Sequence, residues 1–553
     1  MKILYKTIIL LFIFLFSSNI THSQSVTQEW VAKYNGFGYG NNIATDVEVD
    51  SDGNIYVTGY SLGNGTGLDF ATIKYNPNGL QLWVARYNGP FNKDDYANRI
   101  VIDNSGNVYV IGFSVDSIEI YNCKITTIKY NSQGIQQWVN RYDGFSLEDN
   151  ARDLVIDNSG NVYVTGSSRG NGSSYDIVTL KYNSNGEQEW VRRYNGALNS
   201  ADISNAITID DFGNIYITGF SYENLSNACI TTIKYNSIGE VIWIKYYCDK
   251  INSSNSGHDI TLDKEGNVYI TGKIQELAPD IMHYITIKYT SNGIEQWASK
   301  YLGKEYGLLN EANVIAIGSK GDVFITGTSE SYDSEMDFAT IKYNSNGVQQ
   351  WVKRYSGSAS SWDYATELVI DSLDNIYVTG SSSTSFNSNY NYATIKYNSD
   401  GVQQWIKTYN GPGNRNDWPN SIAIDRFNNI YVTGYSDSTL LSETRAFTTI
   451  KYSQSVGIQN LSNEIPNKFS LMQNYPNPFN PSTTIKFDIQ KQGLVTLKVY
   501  DMLGKEVSTL VNESLSPGTY KADFTAEGLT SGVYFYRLIT DDFSDVKRML
   551  LIK

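Results

Sequence analysis

One period runs through most of this chain. Tryptophan recurs eight times, at Trp30, Trp83, Trp138, Trp190, Trp243, Trp297, Trp351 and Trp405, at intervals of 52 to 55 residues. A second landmark is Tyr-Val-Thr-Gly or a close variant. It starts at Tyr56, Tyr109, Tyr163, Tyr216, Tyr269, Phe324, Tyr377 and Tyr431. A third is Ile-Lys-Tyr, ending at Tyr75, Tyr130, Tyr182, Tyr235, Tyr289, Tyr343, Tyr397 and Tyr452, with Leu180 in place of Ile in the third copy. Such self-similarity means a repeated supersecondary unit whose apolar faces are buried by its neighbours.

Each unit resolves into four short β-segments, as in 99–103, 107–113, 125–131 and 136–142. They are rich in Val, Ile, Thr and Tyr and are bounded by Gly, Asn, Asp or Ser. No useful stretch of helical periodicity interrupts them. Four strands in a unit of this length are the signature of a propeller blade, so the expected fold is an all-β, eight-bladed β-propeller. The order of landmarks predicts its closure. The Trp30 segment precedes any complete unit, and the last unit ends at Tyr452 without a Trp strand. Gln28 to Tyr34 is therefore expected to supply the outermost strand of the last blade, removing open edges.

These landmarks resemble the SBBP-type β-propeller repeat family over about residues 28–452. The Asp-x-x-Gly-Asn-hydrophobic-Tyr-Val-Thr-Gly stretch carries the resemblance most specifically. The family name implies seven blades, whereas three landmarks here each count eight. The family is found in exported proteins and implies no one activity.

Strand order sorts the loops. The first-to-second and third-to-fourth turns are short and uniform, as in Asp50 to Asn54 and Asn76 to Gly79. Gly and Asn supply the positive φ these hairpins need. The second-to-third and fourth-to-first connections are longer and vary, as in Ser61 to Leu68, Val115 to Asn122 and Ser381 to Tyr390. Variable loops on a rigid scaffold are where binding concentrates. The Asp-Gly-Asn turns lack the spacing and terminal Glu of a calcium loop and read as hairpin turns.

On the variable face, Asp95, Asp149, Asp202, Asp363 and Asp417 each precede a first strand. They are either local turn caps or a carboxylate ring at the channel mouth. Trp362 and Trp418 break the repeat in consecutive fourth-to-first loops, and Tyr96 and Tyr364 match the position of Trp418. Aromatic faces beside carboxylates suit sugar rings or peptide anchors; packing between blades is the competing reading.

Recognisable catalytic chemistry is sparse. His258 and His283 read as structural, and no zinc motif, phosphate loop or nucleophile elbow occurs. No catalytic residue, metal or cofactor is expected. Arg86, Arg141, Arg193 and Arg354 sit in Trp strands and are expected to pair across strands. A net charge of −14 argues against a nucleic-acid partner. Cys229 and Cys248 fall near cross-strand positions. Buried small hydrophobes are the expected reading, with one bridge permitted by export.

Residues 1–23 read as a signal peptide: Lys2 and Lys6, the apolar run from Ile8 to Phe16, then Thr21 and Ser23 before Gln24. Residues 24–453 are assigned to the propeller, 454–466 to a polar linker and 467–553 to a small Ig-like β-sandwich. That last region resembles the type A C-terminal sorting domain of type IX secretion, in Gln473 to Pro481, Val499 to Gly504, Leu529 to Arg537 and Lys547 to Lys553. The resemblance implies Sec export, transit across the outer membrane by the type IX machinery, and removal of the domain with release or surface attachment. The expected function is a secreted or surface-located, monomeric, non-catalytic protein whose loop face binds a glycan or a protein. The alternatives are an extracellular enzyme acting on polysaccharide through channel-mouth carboxylates, and a structural or adhesive surface protein.

Overall fold

Every landmark of the repeat falls in a β-strand of the structure, a computed structural model. It describes residues 26–38, 40–116, 122–145, 148–224, 227–249, 253–277, 280–303, 308–331, 335–357, 362–385, 388–437, 444–454, 458–462, 464–526 and 529–553. The expected signal peptide and much of the Val115 to Asn122 loop lie outside these residues. The described chain divides into two compact parts, Val26–Gln454 and the residues from Ser455 to Lys553.

In the first part, consecutive strands pair antiparallel into four-stranded units. The first unit is Ile43–Val49, Ile55–Leu62, Leu68–Tyr75 and Gln81–Tyr87, hydrogen-bonded in that order. Eight such units form among the described residues, and a parallel bridge from Ala228 to Ser254 joins the fourth to the fifth. The eighth takes three strands from the end of the repeat, Asp417–Ile424, Ile430–Asp437 and Arg445–Gln454. Its fourth is Val26–Tyr34, which pairs antiparallel with Arg445–Gln454.

The repeated motif can be read residue by residue. In the first-to-second turn, Asp50 Oδ1 accepts the backbone N–H of Asp52 and Asn54, while Oδ2 accepts from Asn54 Nδ2 at 2.8 Å and the Tyr56 hydroxyl at 3.0 Å. Asp103, Asp157, Asp210, Asp263, Asp371 and Asp425 repeat this network. Both oxygens are occupied by the turn, which accounts for the Asp, Asn and Tyr of the motif. The glycine that follows has a different cause. A Cβ on Gly112 would lie 1.9 Å from the Tyr96 carbonyl oxygen, because the first strand bulges towards it between Ala97 and Arg99.

Tryptophan joins each unit to the next. Trp83 lies on Gly134 of the following third-to-fourth turn, where a Cβ would stand 2.7 Å from the indole, and its Nε1 donates to Ser132 O at 3.1 Å. Trp30 does the same at Gly79 and Pro77 O, which bonds the eighth unit to the first. The second and third strands have neighbours on both faces, so their side chains are buried almost continuously, as in Ile55–Leu62 and Leu68–Tyr75.

The second part is a β-sandwich. One sheet is ordered Ile458–Ser462, Gly518–Thr525, Ser482–Ile489, Ser470–Leu471. The other is ordered Glu506–Leu515, Gly493–Tyr500, Gly532–Ile539, Ser544–Leu551. Phe487, Tyr520, Leu497 and Tyr536 from the two sheets share one core. The segment 454–466, expected as a linker, carries more than a linker would: Gln454 ends a propeller strand, and Ile458–Ser462 is an edge strand of the sandwich.

Candidate functional site

The five aspartates expected on the variable face are turn caps. Asp95, Asp149, Asp202, Asp363 and Asp417 are at most 1% exposed. Oδ2 of each accepts a backbone N–H from the preceding loop: Gly89 at 2.6 Å, Gly144 at 2.8 Å, Gly196 at 2.6 Å, Gly357 at 2.7 Å and Gly411 at 2.7 Å. The first and sixth units place Asn42 and Asn310 here, and each accepts a serine hydroxyl at 2.6 Å, from Ser61 and Ser329. The position needs an acceptor, not a charge, so these carboxylates form no solvent-facing ring. Burial pushes Asp95 up to about 7 and Asp363 and Asp417 to about 6.

The aromatic residues come together differently. Trp418 stacks on Tyr364 at 5.7 Å between ring centres, across the boundary between the seventh and eighth units. Tyr390 lies 5.1 Å from Trp418 and 6.2 Å from Tyr364, and Trp362 stands 6.4 Å from Tyr364. Trp362 is 37% exposed, and the other three are partly exposed. Its Nε1 donates to Glu335 Oε2. The four rings form one cluster at the loop end of the units. Tyr96 belongs elsewhere, packed between Tyr60 and Phe113. Sequence reading missed Tyr390. Its signal is the long second-to-third hairpin, whose strands Ile376–Ser385 and Ser388–Tyr397 outgrow those of the first unit and carry Tyr390 over Trp418.

Deeper in, the first strands converge on a common centre. Arg99 of the second unit feels Asp46, Glu367, Asp153 and Asp259, which come from the first, seventh, third and fifth. These acids also fasten neighbours. Asp46, Asp153 and Asp259 accept the backbone N–H of Ile100, Ile207 and Ile315 in the following unit at 2.9, 3.0 and 2.9 Å. Burial raises Glu48 to about 8 and Glu367 to about 7. Among the described residues, no group of three or more His, Cys, Asp or Glu stands where it could hold a metal ion.

The remaining candidates are structural. His258 Nδ1 bonds the Ala312 carbonyl at 2.9 Å, with Glu311 and Lys273 beside it. His283 lies 3.9 Å from Glu276. Arg86, Arg193 and Arg354 pair across strands with Asp69, Asp176 and Asp337 at 2.9, 3.0 and 2.7 Å, and Arg141 pairs with Asp116. Cys229 and Cys248 form a disulfide, which corrects the expectation of two buried thiols. Register explains it. Ile230 is opposite Tyr247, so the next pair outward is Cys229 and Cys248, with Cα atoms 4.7 Å apart.

Comparison with known proteins places both parts of the chain. A β-propeller repeat matches at residues 82–114, 141–172, 189–225, 350–387 and 404–442. A β-propeller domain of unknown function matches residues 51–80. A secretion system C-terminal sorting domain matches residues 473–553. An uncharacterized WD repeat-containing protein, L264, of Acanthamoeba polyphaga mimivirus is 25% identical over 410 residues, which are 60% of this chain and 27% of that protein. The chain thus spans about a quarter of that relative's length. Among solved structures, a protein of unknown function from Dyadobacter fermentans is 10% identical, with TM-score 0.38, covering 78% of this chain and 99% of the other. The β-propeller domain of the Trilobed protease from Pyrococcus furiosus is 10% identical, with TM-score 0.39, covering 66% and 99%. The GH93 α-L-arabinofuranosidase of Fusarium graminearum is 9% identical, with TM-score 0.34, covering 55% and 92%. The chain carries SBBP β-propeller repeats and a type IX sorting domain, which implies secretion or an outer-surface location and contact with the type IX machinery.

Proposed function

We propose that this chain, which joins β-propeller repeats to a secretion system C-terminal sorting domain, is an exported, non-catalytic glycan-binding protein. In this reading the eight units make one eight-bladed propeller, closed by Val26–Tyr34 as the outer strand of the last blade. The C-terminal sandwich, Ig-like in build, addresses the protein to its secretion route after a signal peptide has started export. Ligand binding falls to the loop face.

The observation that carries the reading is the cluster of Trp362, Tyr364, Tyr390 and Trp418. Ring faces pack against the C–H faces of sugars, and neighbouring polar groups such as Glu335 take up hydroxyls. Tyr390 reaches the cluster from the extended second-to-third hairpin of the seventh blade, away from the uniform turns. Glycan-array screening of the full chain, followed by the Trp362→Ala, Trp418→Ala double variant, tests it. Binding should be lost with the melting temperature kept. A large stability loss instead would favour packing between blades as the purpose of these rings.

A second reading has one observation in its favour. Glu48 and Glu367 are carboxyls raised to about 8 and about 7, a range suited to general acid catalysis. Release of reducing ends from a polysaccharide panel would support an enzyme, and Glu367→Gln should abolish that release.

A further inference from the structure

The rim on which Trp418 sits continues past its own cluster. Trp418 is paired with Tyr435 on the neighbouring strand, and the equivalent pairs are Ile43 with Tyr60, Tyr96 with Phe113, and Tyr364 with Ser381. These belong to the seventh, eighth, first and second units, which are neighbours in space. Tyr60 meets Tyr96 edge-on at 4.8 Å, and Tyr96 stacks on Phe113 at 5.0 Å. Between this second cluster and Trp418, Arg445 lies over the Tyr435 ring at 4.5 Å and faces Asp437 at 3.6 Å. The Arg445 charge also acts on the Tyr60 hydroxyl. Tyr60, Tyr96, Phe113 and Tyr435 are all partly exposed. In the other four units the same pairs are Asn150 with Ser167, Ile203 with Phe220, Ser256 with Lys273 and Glu311 with Thr328. Aromatic rings thus crowd one arc of the rim and thin out on the other.

Resting on the glycan reading above, we infer that the ligand is an extended, uncharged glycan chain that spans both aromatic clusters. A single terminal sugar would need one ring pair. Two clusters joined by a bridging Tyr435 and Arg445 offer successive platforms to successive sugars. Binding at the second becomes intramolecular once the first is filled, so affinity rises with chain length. The charge of the surroundings selects against uronates and sulfated sugars. Asp94 holds the Tyr96 hydroxyl, Asp437 neutralises Arg445, and Glu335 meets Trp362. The whole chain carries a net charge of −14. A polyanion would approach against this field, whereas hydroxyls find hydrogen-bond acceptors.

The test is a length series. Cello-, xylo- and manno-oligosaccharides from disaccharide to octasaccharide are titrated against the full chain, with oligogalacturonates as the charged probe. The Tyr60→Ala, Tyr96→Ala double variant should lose about tenfold or more in affinity for hexasaccharides and longer chains and leave disaccharide affinity unchanged. A Tyr60→Leu, Tyr96→Leu variant keeps the packing volume and should show the same pattern. Equal loss at all lengths, no loss, or tighter binding of oligogalacturonates than of neutral chains would overturn the inference. If Trp362→Ala, Trp418→Ala still abolishes binding in those cases, the glycan reading stands without this extension. A wild-type chain that binds none of these sugars brings down both.

Discussion

Gln454 Oε1 lies 2.7 Å from Lys396 Nζ, where other units offer a backbone carbonyl. Elsewhere one turn carbonyl accepts from both the lysine and the tryptophan of the preceding unit. Lys129 and Trp138 share Ser184 O, Lys234 and Trp243 share Ser291 O, and Lys342 and Trp351 share Ser399 O. The unit that takes its fourth strand from Val26–Tyr34 has no third-to-fourth turn, so that carbonyl does not exist. Gln454 replaces it with a side chain. The same oxygen accepts from Trp405 Nε1 at 3.2 Å, while Nε2 donates to Asn428 O at 2.6 Å. Gln454→Ala removes the shared acceptor from a largely buried ammonium and an indole. It should cost about 2–3 kcal/mol in urea unfolding, above the roughly 1 kcal/mol of an ordinary hydrogen bond. An unchanged midpoint would show that water replaces the glutamine.

The proposed closure by the N-terminal strand makes a larger prediction. Removing residues 26–34 bares the full edge of Arg445–Gln454 and takes Trp30 from Pro77 O. It also strips Arg86 of its bond to the Tyr34 hydroxyl, 2.8 Å long. The truncated chain should melt at a markedly lower temperature, over a broader range, and should self-associate through the open edge. A melting curve matching that of the intact chain would sink closure.

How much of this was legible beforehand follows from what repetition can show. Trp30 and Tyr452 marked the ends of the repeat, and strand order then pointed to the pairing of Val26–Tyr34 with Arg445–Gln454 that the structure contains. Positions filled alike in nearly every unit were readable because the same contact recurs, as with Asp50 and Tyr56. Residues that act once were not. Gln454 is one glutamine in a supposed linker, and Tyr390 is one tyrosine in a loop. Their roles depend on which unit lies alongside, which a period does not record. Asp95 and its equivalents left two readings open for a related reason. A carboxylate at a loop end reads the same whether it faces solvent or accepts Gly89 N–H inside the turn.

The sixth unit tests the turn network by its own exception. It has Gly318 where the others have aspartate, and Phe324 where they have tyrosine. Losing the aspartate and the tyrosine hydroxyl together leaves no buried hydroxyl without its acceptor. Asp374, in the glycine position of the seventh turn, reaches across to Ser319 N at 2.7 Å and Ser319 Oγ at 2.8 Å. In the second unit, then, Tyr109→Phe should cost about 1 kcal/mol, and Asp103→Gly more. The double variant should cost less than the sum, with a coupling of about 1 kcal/mol in a double-mutant cycle. Strict additivity would mean that the 3.1 Å bond between Tyr109 and Asp103 contributes nothing.

Asp95 gives the clearest pH dependence. Burial raises its carboxyl to about 7, against the opposing pull of Gly89 N–H and Ser114. The folded chain therefore binds more protons at this site than the unfolded chain between about pH 4 and pH 7. Its contribution to stability is complete at the acid end of that window and is lost as pH rises through the folded value. Asn42 and Asn310 show that an uncharged amide can occupy this position in the first and sixth units, where its Oδ1 accepts a serine hydroxyl. Asp95→Asn should thus leave the melting temperature near pH 4 almost unchanged and raise it by a few degrees at pH 8. A variant less stable than the wild type at pH 8 would mean that the ionised carboxylate is worth more to the Gly89 turn than its burial costs.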